Sequence, residues 1–320
     1  MIDKSQLSIC QQPLEGFEYT ELSDVDFAPR TSLPKTVEKP KAPPLKCQGI
    51  KTKLVSFICS SLQWNGQGRW IEPFLGSGAV LFNVAPRRAL VADTNPHIIR
   101  LYRDIASENI TPGIVRRHLE CEGELLSRYG AEYYYEVRER FNSLPSSLDF
   151  LFLNRACFNG VMRFNRKGAF NVPFCKKPER FSQSYVTKIV NQVSWASHLI
   201  KSRDWEFVVA DWRETLTKAE VGDLVYADPP YSGRHNDYYN NWQDEDSTDL
   251  FKLLENSPAS FALSTWKQNK YRSNELITNK PLNTAIRTAA HFYHVGSRED
   301  LRSEMEEALI INYDSAATLQ

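Results

Sequence analysis

A strand, a glycine-bearing loop, a helix and a second strand follow one another within residues 69–93. The run Arg69-Trp70-Ile71-Glu72-Pro73-Phe74 is typical of a buried strand, and Ala89-Leu90-Val91-Ala92-Asp93 of another. Between them, Leu75-Gly76-Ser77-Gly78-Ala79 opens a helix that continues to about Phe82. This β-α-β unit predicts an α/β fold, in which helices cover a sheet.

The same alternation returns after a helical middle third. Further strands are predicted at Phe207–Ala210, Asp223–Ala227, Ser260–Thr265 and Ala308–Asn312. Residues 97–145 carry helical patterns, and residues 150–175 are rich in aromatic residues, asparagine and arginine. Residues 1–43 show little periodicity and end in a proline-rich, extended stretch. We therefore predict three parts: an extended segment at 1–43, a discontinuous α/β domain at 44–96 and 197–320, and a mostly helical insertion at 97–196.

Composition narrows the possible partners. The chain has 39 basic and 39 acidic residues, so any affinity for nucleic acid must come from a local basic patch. No apolar run approaches the roughly 20 residues that span a bilayer. The start, Met1-Ile2-Asp3-Lys4-Ser5-Gln6, lacks the pattern of a secretory signal, which makes a cytoplasmic location the expectation. The cysteines are dispersed without a CxxC pair, so no metal site is expected.

Asp228-Pro229-Pro230-Tyr231 directly follows a predicted strand, at the strand end where α/β sheets place their ligands. The Asp228 carboxylate and the Pro229 carbonyl can each accept one N–H bond of an exocyclic amine, which returns lone-pair density to the amine nitrogen. The two prolines fix φ, and Tyr231 offers an aromatic face to a flipped-out base. Taken alone, the motif is also compatible with an ordinary turn after a strand.

The loop Glu72-Pro73-Phe74-Leu75-Gly76-Ser77-Gly78 lets a ligand approach the backbone at a helix amino terminus. It is not GxGxxG, and no lysine follows as in a P-loop, so a nucleoside triphosphate is disfavoured. Asp93 lies roughly twenty residues after the start of the loop, where an acidic side chain can accept both ribose hydroxyls of an adenosine-containing cofactor. Capping of the next turn is the alternative for Asp93. Methyl transfer from a sulfonium donor to an amine unites both motifs.

These motifs resemble those of the Dam-type (alpha-class, D12) DNA methyltransferases, which methylate adenine N6. Phe74 to Gly78 matches the family's FxGxG-type loop, and residues 228–231 match its DPPY motif. Residues 153–174 match its recognition hairpin, LNRxxxNGxxRxNxxGxFNVPF. The resemblance covers roughly residues 44–312. It implies an α/β fold: a Rossmann-like S-adenosylmethionine-dependent methyltransferase domain with an inserted, mostly helical target-recognition domain that carries a β-hairpin.

The resemblance also implies roles for individual residues. It assigns the reacting-base site to Asp228, Pro229, Pro230 and Tyr231. It places S-adenosylmethionine, whose product is S-adenosylhomocysteine, against Lys51, Glu72, Phe74, Gly76, Gly78, Asp93, Asp211 and Trp212, and requires no metal. It assigns DNA contacts to Lys46, Arg155, Phe158, Asn159, Arg163, Asn165, Lys176 and Arg234. The family's WAGGK motif is replaced by Cys47-Gln48-Gly49-Ile50-Lys51, so the aromatic residue that lines the cofactor pocket in many relatives is missing.

The implied activity is site-specific methylation of adenine N6 in double-stranded DNA, with base flipping. Within the family the chain most resembles EcoRV-type modification methyltransferases, which implies a restriction-modification system, a cognate endonuclease and the target GATATC, methylated at its first adenine. A monomer is expected. Two alternatives stay open. A cytosine-N4 methyltransferase is disfavoured by aspartate rather than serine at 228, and a DNA-binding relative without catalysis is disfavoured by the complete set of motifs.

Overall fold

The computed structural model describes residues 37–47, 49, 51–230, 242–268, 284–292 and 304–313. These residues form two compact units. A helical unit comprises residues 43–47 and 100–202, and an α/β unit comprises the other described residues. The divisions fall a few residues beyond those predicted at 96 and 196, and residues 43–47 group with the helical unit although we assigned 44–47 to the α/β domain.

The α/β unit is built on one sheet, whose described strands have the order β3-β2-β1-β4-β5-β7-β6. The strands are β1 (Trp70–Glu72), β2 (Arg88–Asp93), β3 (Asp204–Val209), β4 (Leu224–Ala227), β5 (Ser260–Gln268), β6 (Ala285–Phe292) and β7 (Glu304–Ile311). Strands β1 to β5 are parallel, and β7 lies antiparallel between β5 and β6. This mixed sheet with helices is the Rossmann-like α/β architecture that we predicted.

Strand β1 lies where the strand order reverses. Trp70 is paired with Ala89 of β2 on one side and with Leu224 of β4 on the other. All three residues of β1 and all four of β4 are buried, which is usual for the centre of a parallel sheet covered on both faces. Open α/β sheets bind ligands beside such a reversal, at the carboxyl ends of the strands.

Short helices connect these strands, and longer ones build the helical unit. A 3-10 turn at Lys51–Leu54 leads into the first helix. The helices are α1 (Val55–Ser61), α2 (Ala79–Val84), α3 (Pro96–Ala106), α4 (Pro112–Tyr129), α5 (Ala131–Ser143), α6 (Ser147–Ala156), α7 (Gln183–Lys201), α8 (Trp212–Leu216) and α9 (Asp244–Glu255). Among the described residues, no helix is long and apolar enough to cross a membrane.

Local signals set the helix starts in the helical unit. The Thr111 side chain caps α4 by accepting from the Ile114 amide, with Pro112 at the first helical position. Ser146 caps α6 in the same way. Inside the unit, Arg140 donates to both Asp149 and Glu122 at 2.9 Å, so these buried carboxylates are paired.

The predicted strands are confirmed, but three features differ from the expectation. Strand β6 was not predicted, because Ala285 to Phe292 mixes small and polar residues; among the described strands it lies at the edge of the sheet and pairs with β7. Residues 153–156, expected to open a hairpin, are the last turn of α6. The rest of that segment holds two isolated antiparallel bridges, Cys157 with Phe174 and Phe164 with Phe170, rather than a continuous ladder.

Candidate active site

Four acidic residues stand at the carboxyl ends of neighbouring parallel strands. Glu72 ends β1, Asp93 ends β2, Asp211 follows β3 and Asp228 follows β4. Because the order is β3-β2-β1-β4, these residues lie along one edge of the sheet. The edge is the one at which the sequence predicted a ligand.

The loop between β1 and α2 is held by backbone contacts. The Leu75 amide donates to the Ala92 carbonyl at 2.9 Å, which joins the loop to β2. Gly76 and Gly78 have φ values of +52° and +74°, a backbone region that residues other than glycine rarely adopt. A Cβ at Gly78 would lie 2.7 Å from the Phe82 ring. The loop can therefore present its backbone only with glycine at this position.

Replacing Gly78 with alanine is expected to destabilise the protein by roughly 2–3 kcal/mol, because left-handed strain and a clash with Phe82 act together. Gly222→Ala is a matched control, since Gly222 has a φ of +91° but a Cβ added there would meet nothing within 4 Å. The free energy of unfolding of this control should fall by only about 1 kcal/mol. Chemical denaturation measures both, and equal losses would mean that Phe82 moves aside without cost.

Asp93 has the capping role that the sequence left open, and it also holds the glycine loop. Its carboxylate accepts from the Gly76 amide at 2.9 Å and from the Asn95 amide at 2.8 Å, so it fixes the glycine loop and caps the following turn. Burial raises its pKa to about 6, and the two amide hydrogen bonds oppose that rise. A carboxylate offers about four lone-pair positions, so two further donors such as ribose hydroxyls can still be accepted.

Glu72 is buried at the end of β1. The Trp70 indole donates to its Oε2 at 2.8 Å. Burial raises the pKa of Glu72 to about 8, the Trp70 hydrogen bond opposes this rise and the Asp228 charge adds to it. The raised pKa favours the protonated carboxyl, which can donate as well as accept.

An aromatic cluster lies beside Asp211. Trp212 is buried, with ring centroids 6.3 Å from Phe74 and 5.8 Å from Trp242. The Asp211 Oδ1 atom accepts from the Arg213 amide at 2.9 Å and caps α8. The sequence did not single out Trp242, because it lies just before α9 in no recognised motif. Phe74 and Trp242 are only half-buried, so the cluster offers aromatic surface to a planar ligand.

Lys51 and Asp228 are in contact. The Lys51 Nζ atom lies 3.4 Å from Asp228 Oδ1 and 3.6 Å from Oε2 of Glu307, a residue that the sequence did not single out. Burial raises the pKa of Asp228 to about 6, Lys51 lowers it and Glu307 raises it further. Pro229 and Pro230 continue the turn and are half-buried. Tyr231 and Arg234 lie outside the described residues.

These residues fit an adenosine-containing cofactor. Gly76 and Gly78 hold the loop in a left-handed backbone conformation that lets a ligand approach the main chain, and Asp93 offers acceptors for ribose hydroxyls. The aromatic cluster offers a flat apolar surface, and the four strand-end acids supply acceptors without a charge pattern suited to phosphates.

In the helical unit, Lys46 is fixed to the predicted recognition segment. Its amide donates to Asn154 Oδ1 at 2.8 Å, and its carbonyl accepts from Asn154 Nδ2 at 2.9 Å. Gly160, with a φ of +67°, leaves room for the Lys46 side chain, because a Cβ there would lie 2.7 Å from it. Lys46 remains partly exposed.

Exposed groups follow α6. Phe158 is 51% exposed, which is unusual for a large apolar side chain, and Asn159 beside it is exposed with a left-handed φ of +54°. Lys176 is exposed and also left-handed, with a φ of +59°. Such a segment offers an aromatic ring, an amide and a cation to a partner.

Two other predicted contact residues also shape the segment. Arg163 is partly exposed and donates from Nε to Asn171 Oδ1 at 2.9 Å. Asn165 is exposed, and its Oδ1 accepts from the Lys167 and Ala169 amides at 2.9 and 3.0 Å. The Asn165 side chain therefore holds a turn through its acceptor and keeps its NH₂ group for other contacts.

The prediction that Arg155 contacts DNA is corrected by the structure. Arg155 is 2% exposed, and its Nε donates to the Pro44 carbonyl at 2.8 Å. Its Nη2 donates to Gln192 Oε1 at 2.6 Å and also to the Pro44 carbonyl. The guanidinium is therefore hydrogen-bonded inside the helical unit and covered by residues 43–44, so it is not accessible to DNA.

Comparison with known proteins identifies relatives. A family model described as D12 class N6 adenine-specific DNA methyltransferase matches residues 48–300. The retron Ec67 DNA adenine methylase of Escherichia coli is 33% identical over 219 residues, covering 66% of this chain and 71% of that protein. The DNA adenine methylase of Serratia marcescens is 35% identical over 166 residues, covering 51% and 57%. The type II methyltransferase M.MjaIII of Methanocaldococcus jannaschii is 30% identical over 209 residues, covering 59% and 68%.

Proposed function

Because this chain belongs to the D12 class of N6 adenine-specific DNA methyltransferases, and is thereby an adenine-specific DNA methyltransferase, we propose that Asp228 and its neighbours hold the adenine amine. The observation that carries this assignment is the buried Lys51–Asp228 contact at the end of β4, 3.4 Å between Nζ and Oδ1, which sets a carboxylate at the ligand-binding edge of the sheet. The glycine loop, Asp93 and the aromatic cluster hold the methyl donor at the same edge.

Each group has a distinct task. Asp228 accepts one N–H of the adenine amine, and the Pro229 carbonyl accepts the other, which concentrates the lone pair on N6. S-adenosylmethionine, when bound, supplies a sulfonium methyl: the S–C bond breaks as the N–C bond forms, and the sulfur leaves with the electron pair as S-adenosylhomocysteine. Once N6 carries the methyl group, the Asp228 carboxylate stabilises its positive charge until one amine proton passes to water. Tyr231, by resemblance, stacks on the flipped-out base.

The helical unit is the proposed target-recognition domain. Its exposed candidates for DNA contact are Lys46, Phe158, Asn159, Arg163, Asn165 and Lys176, and Arg234 remains a proposal from the resemblance alone. Arginine and asparagine suit bases in the major groove, whereas Lys176 suits phosphates. Arg155 is withdrawn from this set, because its guanidinium is buried.

We further propose that the enzyme acts as a monomer in the cytoplasm, on GATATC at its first adenine, as the modification partner of an endonuclease. The target and the partner endonuclease are supported by the likeness of the recognition segment to that of EcoRV-type enzymes. One relative is named as a type II methyltransferase and two as DNA adenine methylases, so both kinds of biology occur among its relatives.

The test is to incubate the protein with methyl-labelled S-adenosylmethionine and duplex DNA, and to identify the modified base and its sequence context. We expect N6-methyladenine at the first adenine of GATATC. Label on adenine in another sequence would reject the proposed target and leave the activity standing. Absence of transfer to any duplex would reject the role given to Asp228.

Phe158→Ala is expected to weaken DNA binding about tenfold or more, because loss of one aromatic stacking contact costs roughly 1–3 kcal/mol. Folding should be unchanged, since the ring is 51% exposed. Leu144→Ala is the control, because Leu144 is 78% exposed in the same unit but outside the recognition segment. Fluorescence anisotropy with a labelled duplex measures both variants. Equal affinities for the two would remove Phe158 from the interface.

A further inference from the structure

Glu307 is a buried acidic residue in the middle of a strand. It is 1% exposed, and on β7 it pairs with Trp266 of β5 and Ala289 of β6. The next four residues of the strand, 308–311, are all buried and apolar. A carboxylate is costly in such surroundings unless a charged or hydrogen-bonding partner compensates for lost water.

One partner of Glu307 is the lysine that also contacts Asp228. The Lys51 Nζ atom lies 3.6 Å from Glu307 Oε2 and 3.4 Å from Asp228 Oδ1, and Lys51 and Glu307 are both buried. Charge-assisted N–H···O bonds are usually about 2.7–2.9 Å long, so neither carboxylate has a short bond to this ammonium. Two carboxylates share one cation, and only Asp228, with a side chain 21% exposed, is open to a ligand.

We propose that Glu307 is a positioning residue for methyl transfer: it draws the Lys51 ammonium away from Asp228 and so leaves the Asp228 carboxylate free to accept the adenine N–H. This inference rests on the role proposed above for Asp228. Without Glu307, Lys51 and Asp228 would form a close, neutral pair, and Asp228 would be a weaker acceptor. With Glu307, the cluster keeps a net negative charge beside the nitrogen that becomes positive during transfer.

Other groups also act on Asp228. Ser264 of β5 donates a hydrogen bond to it, and Glu72 of β1 is close enough for the two carboxyl groups to influence each other's ionisation. Burial and Glu307 raise the pKa of Asp228, and Lys51 lowers it. Removing the charge of Glu307 alone should therefore lower the pKa of Asp228. The acid limb of the pH profile should therefore move to lower pH from its starting point near pH 6, the pKa to which burial raises Asp228.

Glu307→Gln removes the charge and keeps the shape. We expect kcat to fall about tenfold, because a charge-assisted hydrogen bond formed in the transition state is weakened. The KM values for S-adenosylmethionine and DNA should be nearly unchanged, and the acid limb should shift to lower pH. Glu306→Gln is the matched control: Glu306 is the preceding residue on β7, and its carboxylate pairs with Lys267 at 3.1 Å. That control should leave kcat and the acid limb unchanged.

A readout independent of activity comes from carbon-13 NMR of protein labelled at aspartate carboxyl groups. The Asp228 resonance is identified by its absence in Asp228→Ala, and its titration midpoint should fall in Glu307→Gln. If kcat falls but neither the acid limb nor this midpoint moves, Glu307 is only structural and the proposal is overturned. If the midpoint moves but kcat does not, the sharing of Lys51 between the two carboxylates is irrelevant to catalysis and the proposal is also overturned. Inactive wild-type protein would instead defeat the proposed function.

A second background covers the case in which Glu307→Gln alone does not fold. Lys51→Gln removes the ammonium through which Glu307 acts, and the double variant restores charge balance. In that background, Glu307→Gln should lower kcat much less than tenfold, since no ammonium can move to Asp228. An equal loss in both backgrounds would show that Glu307 does not act through Lys51.

Discussion

Asp228→Ala is expected to lower kcat by roughly 10²–10³-fold or more, because it removes the carboxylate that we propose as the acceptor for adenine N6. Cofactor affinity should change little, since the proposed donor site is formed by the glycine loop and Asp93. The variant should also fold. Lys51 keeps Glu307 as a partner at 3.6 Å, so the substitution does not leave a buried ammonium without a carboxylate. Single-turnover transfer from labelled S-adenosylmethionine measures the loss, and calorimetric titration measures cofactor binding.

Asp228→Asn is the informative companion variant. The amide keeps an acceptor oxygen and the side-chain volume but loses the negative charge, so it should retain more activity than alanine and far less than aspartate. Near wild-type turnover by either variant would mean that the amine acceptor lies elsewhere. Loss of cofactor binding in both would mean that Asp228 serves the donor rather than the base.

Arg155→Ala is expected to destabilise the protein by roughly 3 kcal/mol, because buried acceptors lose their donor. The Pro44 carbonyl and the Gln192 side chain would be left without this guanidinium, and residues 43–47 would lose part of their attachment. Thermal unfolding should show the effect as a fall in Tm.

Arg166→Ala is the control for this variant. Arg166 is exposed in the same segment, so its loss should change stability by less than about 0.5 kcal/mol while weakening DNA binding. A stable Arg155→Ala protein with altered sequence selectivity would restore the base-reading role that the structure removes.

The contrast between these two arginines shows what sequence could predict. The strand-end acids Glu72, Asp93 and Asp228 were predictable, because strands and loops can be read from local pattern and parallel strands bring their carboxyl ends to one edge. The burial of Arg155 was not predictable, because it depends on residues 43–44, more than a hundred positions away. Local pattern gives no information about such contacts.

Glu307 and Trp242 escaped prediction for the same reason. Glu307 reaches Lys51 only because β7 inserts antiparallel between β5 and β6, and one of these strands was itself missed. Trp242 joins Phe74 and Trp212 through tertiary packing, with ring centroids 5.5 and 5.8 Å apart. The family resemblance supplied motif residues, whereas the residues that support them required coordinates.

The paired hydrogen bonds between Asn154 and the backbone of Lys46 have a consequence for how such an enzyme diversifies. They join two chain segments 108 positions apart, and on the Lys46 side they use only main-chain atoms, so the side chain of residue 46 takes no part in these hydrogen bonds. Mutations can therefore exchange the side chains of residues 46 and 158 while the frame that carries them keeps its register. New target sequences could then arise by stepwise substitution, without an intermediate that has to refold.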